Sequence, residues 1–275
     1  MSLFLSSIMT LLTLLLLALS GCSSEVVNDF THTCPQFFAN PGGTLSPPTV
    51  FKGNNYKQIC QILNNIPEYA TLYDTANRIP VYSAYKFQGR KGGDRQGNWY
   101  IEPQLEDKGP QMASESNVKH INNQAVNADY KGTSTHHFVK GHLAPVLHAT
   151  SQSCANATFT LTNAAPQNDK FNNGEWKKIE NAVAKTLEKQ CKGNSAYIVT
   201  GVVPGPDKLN NRVNIPGHFW TAYCCLDNNL KEKASGAFIG ENKNVPVKEM
   251  SVKELDRKLS DEYGKVFRVF GSKCN

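Results

Sequence analysis

Apolar and polar residues alternate in several short segments of the chain, and this period of two predicts β-strands. Between residues 69 and 87, two alternating runs are joined by turn residues at 75–77, which predicts a strand pair. Further strands are predicted at residues 138–143, 159–162, 197–203, 219–226 and 266–270. Residues 35–56 are broken by Pro and Gly, and residues 88–135 are mainly polar, so both segments are predicted to be loops. A loop as long as the second one is usually functional in a compact domain.

Two segments show the three- and four-residue spacing of apolar positions that is typical of amphipathic helices. The first is predicted at residues 172–190, where Asn172 or Asn173 would cap the helix start. The second begins with a capping box at residues 251–254 (SVKE). The apolar stripes comprise Trp176, Ile179, Val183 and Leu187 in the first helix and Val252, Leu255 and Leu259 in the second. Strands and helices without an internal repeat predict a single α+β domain.

The N-terminal segment has the composition of a secretory leader. Residues 11–19 (LLTLLLLAL) form an apolar run that is too short for a comfortable membrane span. Residues 19–22 (LSGC) also resemble a bacterial lipoprotein cleavage box, which would lipidate Cys22, but no Lys or Arg precedes it. We therefore expect a signal peptide at residues 1–22, one domain at residues 23–275, an extracellular location and no stable membrane insertion of the mature chain. The sequence does not specify an oligomeric state.

The eight cysteines favour disulfide bonds over a metal or redox site, because the chain contains no Cys-x-x-Cys pair. In an oxidising compartment, most of them are expected to be paired. The expected pairs are Cys34 with Cys60, and one of the vicinal Cys224 and Cys225 with Cys274, with Cys225 taken as the candidate. Asn156, in the acceptor motif N-A-T, is a candidate glycosylation site.

The net charge of +6 comes from 29 basic and 23 acidic residues and suits a polyanionic partner. Lys and Arg favour such a partner because they displace counterions from phosphates. Many secreted proteins are mildly basic for other reasons, so the charge is consistent with DNA or RNA and does not identify them.

Three ordered segments carry the side chains with the most specific chemistry, namely residues 139–145 (VKGHLAP), 161–167 (LTNAAPQ) and 171–176 (FNNGEW). His142 can act as a base, because the pKa of an unperturbed imidazole lies near neutrality. An Asn oxygen and retained waters can hold Mg²⁺. An ion held in this way stabilises charge that develops on a phosphoryl group and its leaving oxygen. The set therefore favours hydrolysis of a phosphodiester.

These motifs resemble those of the DNA/RNA non-specific endonuclease family, of the ββα-metal class, and within it a secreted endonuclease-domain-containing branch of animals. The family core reads D-R-G-H, then T-N-x-x-P-Q, then N-x-G-x-W and a Glu. The corresponding segments here are VKGH at residues 139–142, TNAAPQ at residues 162–167, NNGEW at residues 172–176, and Glu180. The resemblance implies an α+β fold, with a ββα-metal core and a central, mostly antiparallel sheet flanked by helices.

The resemblance also implies a role for each matching residue. His142 corresponds to the general base, Asn163 to an active-site Asn, and Asn172 to a metal ligand. Glu180 corresponds to a carboxylate that reaches the metal through water. Asn172 and Glu180 lie eight residues apart, which is roughly 12 Å along a regular helix. Both can approach one ion only if Asn172 lies in a bent entry turn. The expected cofactor is Mg²⁺, with Mn²⁺ as a substitute, and the expected substrates are DNA and RNA.

The first motif departs from the family pattern. Val139 replaces the acidic residue, and Lys140 replaces an Arg that contacts phosphate. Lys keeps the charge but lacks the bidentate fork of Arg, so we expect Lys140 to contact phosphate in a weaker or differently tuned enzyme. Arg95 is the expected second phosphate contact, although two extra residues separate it from the Asn-Trp pair at residues 98–99.

Structural alternatives exist for each of these side chains. His142 can be a structural histidine, Asn172 a simple helix cap, and Glu180 an ordinary helix charge. Asn163 can serve a turn, and Lys140 can be a surface residue beside the strand. Tyr85, Trp99 and Tyr100 can stack on bases of a single strand, with core packing as the alternative for each. The rival functions are a catalytically weak or inactive nuclease-fold module that binds extracellular nucleic acid or other polyanions, and a phosphodiesterase that acts on another polyanion.

Overall fold

The structure is a computed structural model that describes residues 25–106, 109, 111–131 and 137–275. The predicted signal peptide at residues 1–22 lies outside these residues. The strands are β1 (Val26–Val27), β2 (Tyr56–Leu63), β3 (Ile66–Asp74), β4 (Ile79–Phe87), β5 (Tyr100–Ile101), β6 (Ala113–Ser114), β7 (Phe138–His142), β8 (Ala164–Asn168), β9 (Ser195–Leu209), β10 (Val213–Leu226), β11 (Glu232–Glu241) and β12 (Lys248–Met250). Eight of these described strands form one antiparallel sheet in the order β1-β2-β3-β4-β9-β10-β11-β12. The predicted antiparallel sheet is thus confirmed.

The helices are α1 (Phe30–Thr33), α2 (Gln152–Ala157), α3 (Asp169–Phe171), α4 (Lys177–Gln190) and α5 (Val252–Tyr263). A π turn, Asn172–Trp176, joins α3 to α4. The predicted capping box of α5 is confirmed, because Ser251 Oγ accepts from the Glu254 N–H and Glu254 Oε2 accepts from the Ser251 N–H. Within the described residues, no helix has the length and apolar character needed to cross a membrane.

The sheet carries a hydrophobic core on each face, because successive side chains of a strand point to opposite sides. In β9, Tyr197 and Val199 belong to one core, while Ile198 belongs to the other. Helices α1 and α5 and the C-terminal residues cover the first face. Helix α4 and the segment that precedes it cover the second face, which is the one that carries the candidate site.

Residues 88–194 form an insertion between β4 and β9, which are neighbours in the sheet. The described part of residues 88–135 is mostly loop, as predicted. The antiparallel strands β7 and β8 follow, and α3, the π turn and α4 come directly after them. This succession of two strands and a helix is the ββα core that the family resemblance implies.

Two predicted strands and the predicted start of one helix are wrong. Residues 159–162 are not a strand, and a 3₁₀ turn at Leu161–Asn163 precedes β8. The apolar alternation that predicted a strand arises because Phe159 and Leu161 are buried by side-chain packing. The helical segment begins at Asp169, and Asn168 caps it by accepting from the Phe171 N–H.

Residues 266–270 are also not a strand. Their apolar side chains pack against α5 and the first core, which explains the alternation that predicted a strand. Their backbone groups bond to loop and helix partners instead of to a ladder. The Val269 N–H donates to Asp256 Oδ1 at 2.8 Å, and the Arg268 carbonyl accepts from the Thr49 N–H at 2.9 Å.

Among the described cysteines, three disulfide bonds form: Cys34–Cys60, Cys191–Cys225 and Cys224–Cys274. The first prediction is confirmed. The choice of Cys225 as the partner of Cys274 is wrong, and Cys224 is the partner. Adjacent residues of β10 point to opposite faces, so Cys224 meets the C-terminal residues while Cys225 meets the end of α4.

Candidate active site

One cavity of about 420 Å³ brings together most of the predicted side chains. Its lining includes His142 at the end of β7, Asn172 in the π turn, Glu180 on α4 and Arg95 in the loop after β4. These residues are far apart in the chain, and the insertion between β4 and β9 folds them onto one side of the sheet. We call this the His142 cavity.

The His142 imidazole is buried between two aromatic rings. Its centroid lies 4.9 Å from that of Trp99 and 4.8 Å from that of Phe159. Its Nε2 atom has no hydrogen-bond partner among the described residues. Burial, and then the charges of Arg95 and Lys140, lower the pKa of His142 to about 3, so the ring is neutral and, with these two cations uncompensated, only weakly basic. An anion in the cavity would offset the two cations and raise this pKa.

Asn163 holds the turn that follows His142. Its Oδ1 accepts from Ser83 Oγ and from the Ala144 N–H, both at 2.9 Å. Its Nδ2 donates to the carbonyls of Ala144 and Thr158, both at 3.0 Å. These four bonds use the full capacity of the amide, which is buried and outside the cavity lining. The geometry therefore supports a positioning role for Asn163 and no contact with a ligand.

The π turn explains how Asn172 and Glu180 face the same cavity. In an unbroken α-helix, two residues eight positions apart differ by about 80° around the axis. One residue inserted by a π turn reduces this difference to about 20°. Gly174, with φ −105° and ψ −105°, bends the backbone within the turn. The bent entry that the two residues need to approach one ion is therefore present.

Glu180 is half-buried and has a perturbed carboxyl. Burial raises its pKa to about 8, and the charges of Arg95 and Lys177 act in the opposite direction. A cation in the cavity would favour the ionised form. Its backbone is held by His148, whose Nε2 donates to the Glu180 carbonyl at 2.9 Å while Nδ1 accepts from the Tyr85 hydroxyl at 2.9 Å. No motif or periodicity in the sequence indicated this role of His148.

Arg95 reaches the cavity because its loop is docked on α2. Gln152 Oε1 accepts from the Asp94 N–H at 2.8 Å, and Gln152 Nε2 donates to the Asp94 carbonyl at 3.1 Å. At Gly93, a Cβ atom would lie 2.5 Å from that of Ala155, so the close approach of the loop to α2 requires glycine. Arg95 itself lies 5.7 Å from the centroid of the Phe159 ring.

A second attachment fixes the same loop to α4. Arg90 donates through Nε and Nη2 to the two carboxylate oxygens of Glu188, at 2.9 and 2.7 Å. Such a bidentate pair fixes orientation as well as distance. The two attachments explain how Arg95 is positioned despite the two extra residues before the Asn-Trp pair, and neither was predicted from the sequence.

Lys140 lies outside the His142 cavity. It shares a face of β7 with His142, but its ammonium donates to Asn127 Oδ1 at 2.6 Å and lies 4.9 Å from the centroid of Trp99. It lines an adjacent cavity of about 520 Å³. The structure thus separates Lys140 from the group formed by His142, Asn172, Glu180 and Arg95.

The donors in the His142 cavity suit a hard, hydrated cation. Among the described residues, no group of three or more His, Cys, Asp or Glu side chains is arranged to hold a metal. The amide of Asn172 and the carboxylate of Glu180 instead offer oxygen donors, and the cavity has room for water. Oxygen ligands with retained waters are what Mg²⁺ and Mn²⁺ prefer.

The chain matches known proteins over most of its length. The model of the DNA/RNA non-specific endonuclease family matches residues 46–263. The human Endonuclease domain-containing 1 protein is 32% identical over 201 residues, which are 70% of this chain and 38% of that protein. Its mouse counterpart is 31% identical over 202 residues, with the same coverage. The chain therefore spans 38% of the length of these two relatives.

A second relative and a solved structure agree with this match. Human mitochondrial endonuclease G is 34% identical over 88 residues, which are 32% of this chain and 28% of that protein. A crystal structure of the EndoG/EndoGI complex contains a chain with a TM-score of 0.51 and 21% identity, and the match covers 70% of this chain and 81% of that one. This likeness shows a shared fold.

Proposed function

The chain belongs to the DNA/RNA non-specific endonuclease family, and we propose that it is a secreted, Mg²⁺-dependent endonuclease that hydrolyses DNA and RNA with little sequence preference. Proteins of this family generally depend on a divalent metal ion. The observation that carries the proposal is the convergence of His142, Asn172, Glu180 and Arg95 on one cavity, with His142 Nε2 unpartnered among the described residues. Mn²⁺ is the proposed substitute ion.

In the proposed mechanism, His142 Nε2 accepts the proton of the attacking water, because the ring is neutral. Arg95 neutralises charge on the scissile phosphate. Asn172 would hold the hydrated ion, and Glu180 would order its waters. When bound, the ion would supply electrostatic stabilisation of the phosphoryl group and the leaving oxygen. Contacts to the backbone carry no direct sequence information, which accounts for the low specificity.

The extracellular location is also part of the proposal. The three disulfide bonds are consistent with an oxidising compartment. We propose a signal peptide at residues 1–22 and a mature domain at residues 23–275. We also propose a glycan on Asn156, which is half-buried at the end of α2. Mass spectrometry of secreted protein before and after deglycosylation measures both the mature N-terminus and the glycan.

Metal removal tests the proposed reaction. Purified secreted protein is expected to cut plasmid DNA and structured RNA with Mg²⁺, and to lose this activity in EDTA, because the ion would stabilise the transition state by several kcal/mol. Gel electrophoresis of the products measures the reaction, and addition of excess Mg²⁺ or Mn²⁺ should restore it. Cleavage that persists in EDTA would contradict the proposed metal dependence.

Gln152 provides a test of how Arg95 is positioned. Gln152→Ala removes both bonds to the Asp94 backbone and is expected to lower kcat/KM about tenfold, because small misplacements of a charged group reduce rates strongly. Gln190→Ala, at an exposed position of α4, is the matched control. In an Arg95→Ala background, the Gln152 change should have no further effect, because the two residues act as one unit. Additive losses would show that Gln152 acts independently of Arg95.

One observation favours a second function. Lys140 replaces the family Arg, and its ammonium is held by Asn127 in a separate cavity. A catalytically weak or inactive nuclease-fold module that binds extracellular nucleic acid or other polyanions is therefore the alternative. It predicts retention on DNA or heparin that survives both EDTA and the loss of His142, with no products in the digestion assay.

A further inference from the structure

The cavity next to the His142 cavity is lined by aromatic and basic side chains. These are Trp99, Tyr100, Tyr130, Lys131 and Lys140, and the space has a volume of about 520 Å³. The Trp99 ring, which lines this space, lies 4.9 Å from the His142 ring, which lines the other, so the two cavities are adjacent. We call this second space the Trp99 cavity.

The ammonium of Lys140 lines this cavity, and its contacts with neighbouring side chains hold it there. It lies 4.9 Å from the Trp99 centroid and 5.7 Å from the Tyr130 centroid, which are cation–π distances. Asn127 Oδ1 accepts from it at 2.6 Å, and an ammonium has three donors. One acceptor and two aromatic faces leave donor capacity for an anionic ligand.

The acidic residue of the lining, Glu115, partly offsets the charge of Lys140 and also positions it. Glu115 Oε2 accepts from both the backbone N–H and the Nδ2 of Asn127, at 2.8 and 2.7 Å. Glu115 therefore orients the amide that in turn orients Lys140. Lys131, which is exposed on the same lining, adds a second positive charge.

We propose that the Trp99 cavity binds the nucleotide next to the scissile phosphodiester in a single-stranded or unpaired segment. Its phosphate lies on Lys140 and Lys131, and its base lies against the rings of Tyr100 and Tyr130. A basic groove with aromatic side chains is the usual means of binding single strands. The inference rests on the proposed function, because His142 in the adjacent cavity marks the scissile position.

The assignment gives a physical reason for lysine at position 140. A scissile phosphate is best held by the fork of an Arg, whereas a flanking phosphate needs only a point charge. A base must leave its stack to enter the cavity, and this costs least in a strand that is already unpaired. The enzyme is therefore expected to prefer single-stranded over fully paired substrate.

Tryptophan fluorescence tests the subsite without turnover. The chain has three tryptophans, and Trp176 and Trp220 are buried at 1% and 0% exposure, so acrylamide quenching reports mainly on Trp99. In wild-type protein held in EDTA, which prevents the proposed turnover and keeps the His142 ring beside Trp99, saturating thymidine tetranucleotide is expected to lower the quenching constant. Thymidine monophosphate, which lacks a flanking nucleotide, is expected to lower it less.

Charge-matched variants identify the phosphate contact. In the His142→Ala background, Lys140→Gln should weaken tetranucleotide binding about tenfold and reduce the slope of log K against log salt by about 0.7, as expected for one lost contact to a single strand. Lys131→Gln, at an exposed position, should act in the same direction with no loss of folding. Lys233→Gln, exposed on β11, removes the same charge and should change neither quantity.

Two results would overturn the subsite. One is unchanged Trp99 quenching at saturating tetranucleotide, and the other is an equal effect of Lys140→Gln and Lys233→Gln. A digestion assay with protein that retains His142 distinguishes failure of the subsite proposal from failure of the nuclease proposal. Cleavage of DNA without Trp99 protection would retain the nuclease and reject the subsite. Protection without cleavage of any substrate would retain the subsite and reject the nuclease.

Discussion

His142→Ala is expected to lower kcat/KM for plasmid DNA and for RNA about 10³-fold, within the range that general-base catalysis contributes. The imidazole is neutral, its Nε2 is unpartnered among the described residues, and Asn172 and Arg95 cannot accept a proton in its place. Initial rates at saturating Mg²⁺ measure the loss.

Two controls separate the loss of a base from a loss of structure. His120→Ala removes an exposed histidine and should leave the rate unchanged. Circular dichroism should show a folded His142→Ala protein, and added imidazole should restore part of its activity, because the free base can occupy the space left between Trp99 and Phe159. A folded variant that keeps a tenth or more of the wild-type rate would refute the assignment.

Asn172→Ala is expected to lower the rate about 100-fold at limiting Mg²⁺, because the ion contributes several kcal/mol and each 1.36 kcal/mol changes a rate tenfold. The variant removes the oxygen donor that the π turn aims into the His142 cavity. Excess Mg²⁺ should recover part of the loss, since a weaker ligand set fills at higher concentration.

Direct metal binding tests the same residue without turnover. Calorimetric titration with Mn²⁺ should show weaker binding to Asn172→Ala and retained binding to Asn172→Asp, which keeps an oxygen donor. Asn229→Ala, exposed in the turn between β10 and β11, is the matched control. Equal Mn²⁺ affinity in wild-type and Asn172→Ala protein would remove Asn172 from the metal site.

Some of the fold was predictable because its signals are local. The alternation of β4, the stripe of Val183 and Leu187 on α4 and the capping box of α5 are patterns within one turn or one strand. The same reasoning failed at residues 266–270, where apolar side chains pack on a helix without forming a ladder. A local pattern of apolar residues predicts which side chains are buried, but it does not predict which groups the backbone bonds to.

The disulfide bonds separate what a local sequence pattern predicts from what depends on tertiary structure. Cys34–Cys60 was predicted, and the β-period alone implies that Cys224 and Cys225 face opposite cores. The position of Cys191 depends on where α4 ends, and the position of Cys274 depends on the path of the C-terminal residues. That information is long-range, so the pairing of Cys225 with Cys191 required the tertiary structure.

By itself, the sequence determined the family, the α+β class and the types of side chain available for chemistry, because ordered motifs and periodicity are properties of neighbouring residues. Tertiary structure alone decided which side chains share a cavity. The π turn lets Asn172 and Glu180 line the same cavity, and the loop docked on α2 places Arg95 in the same lining. The Asn127 bond directs Lys140 into a different cavity. These outcomes depend on packing between segments far apart in the chain, for which no local pattern exists.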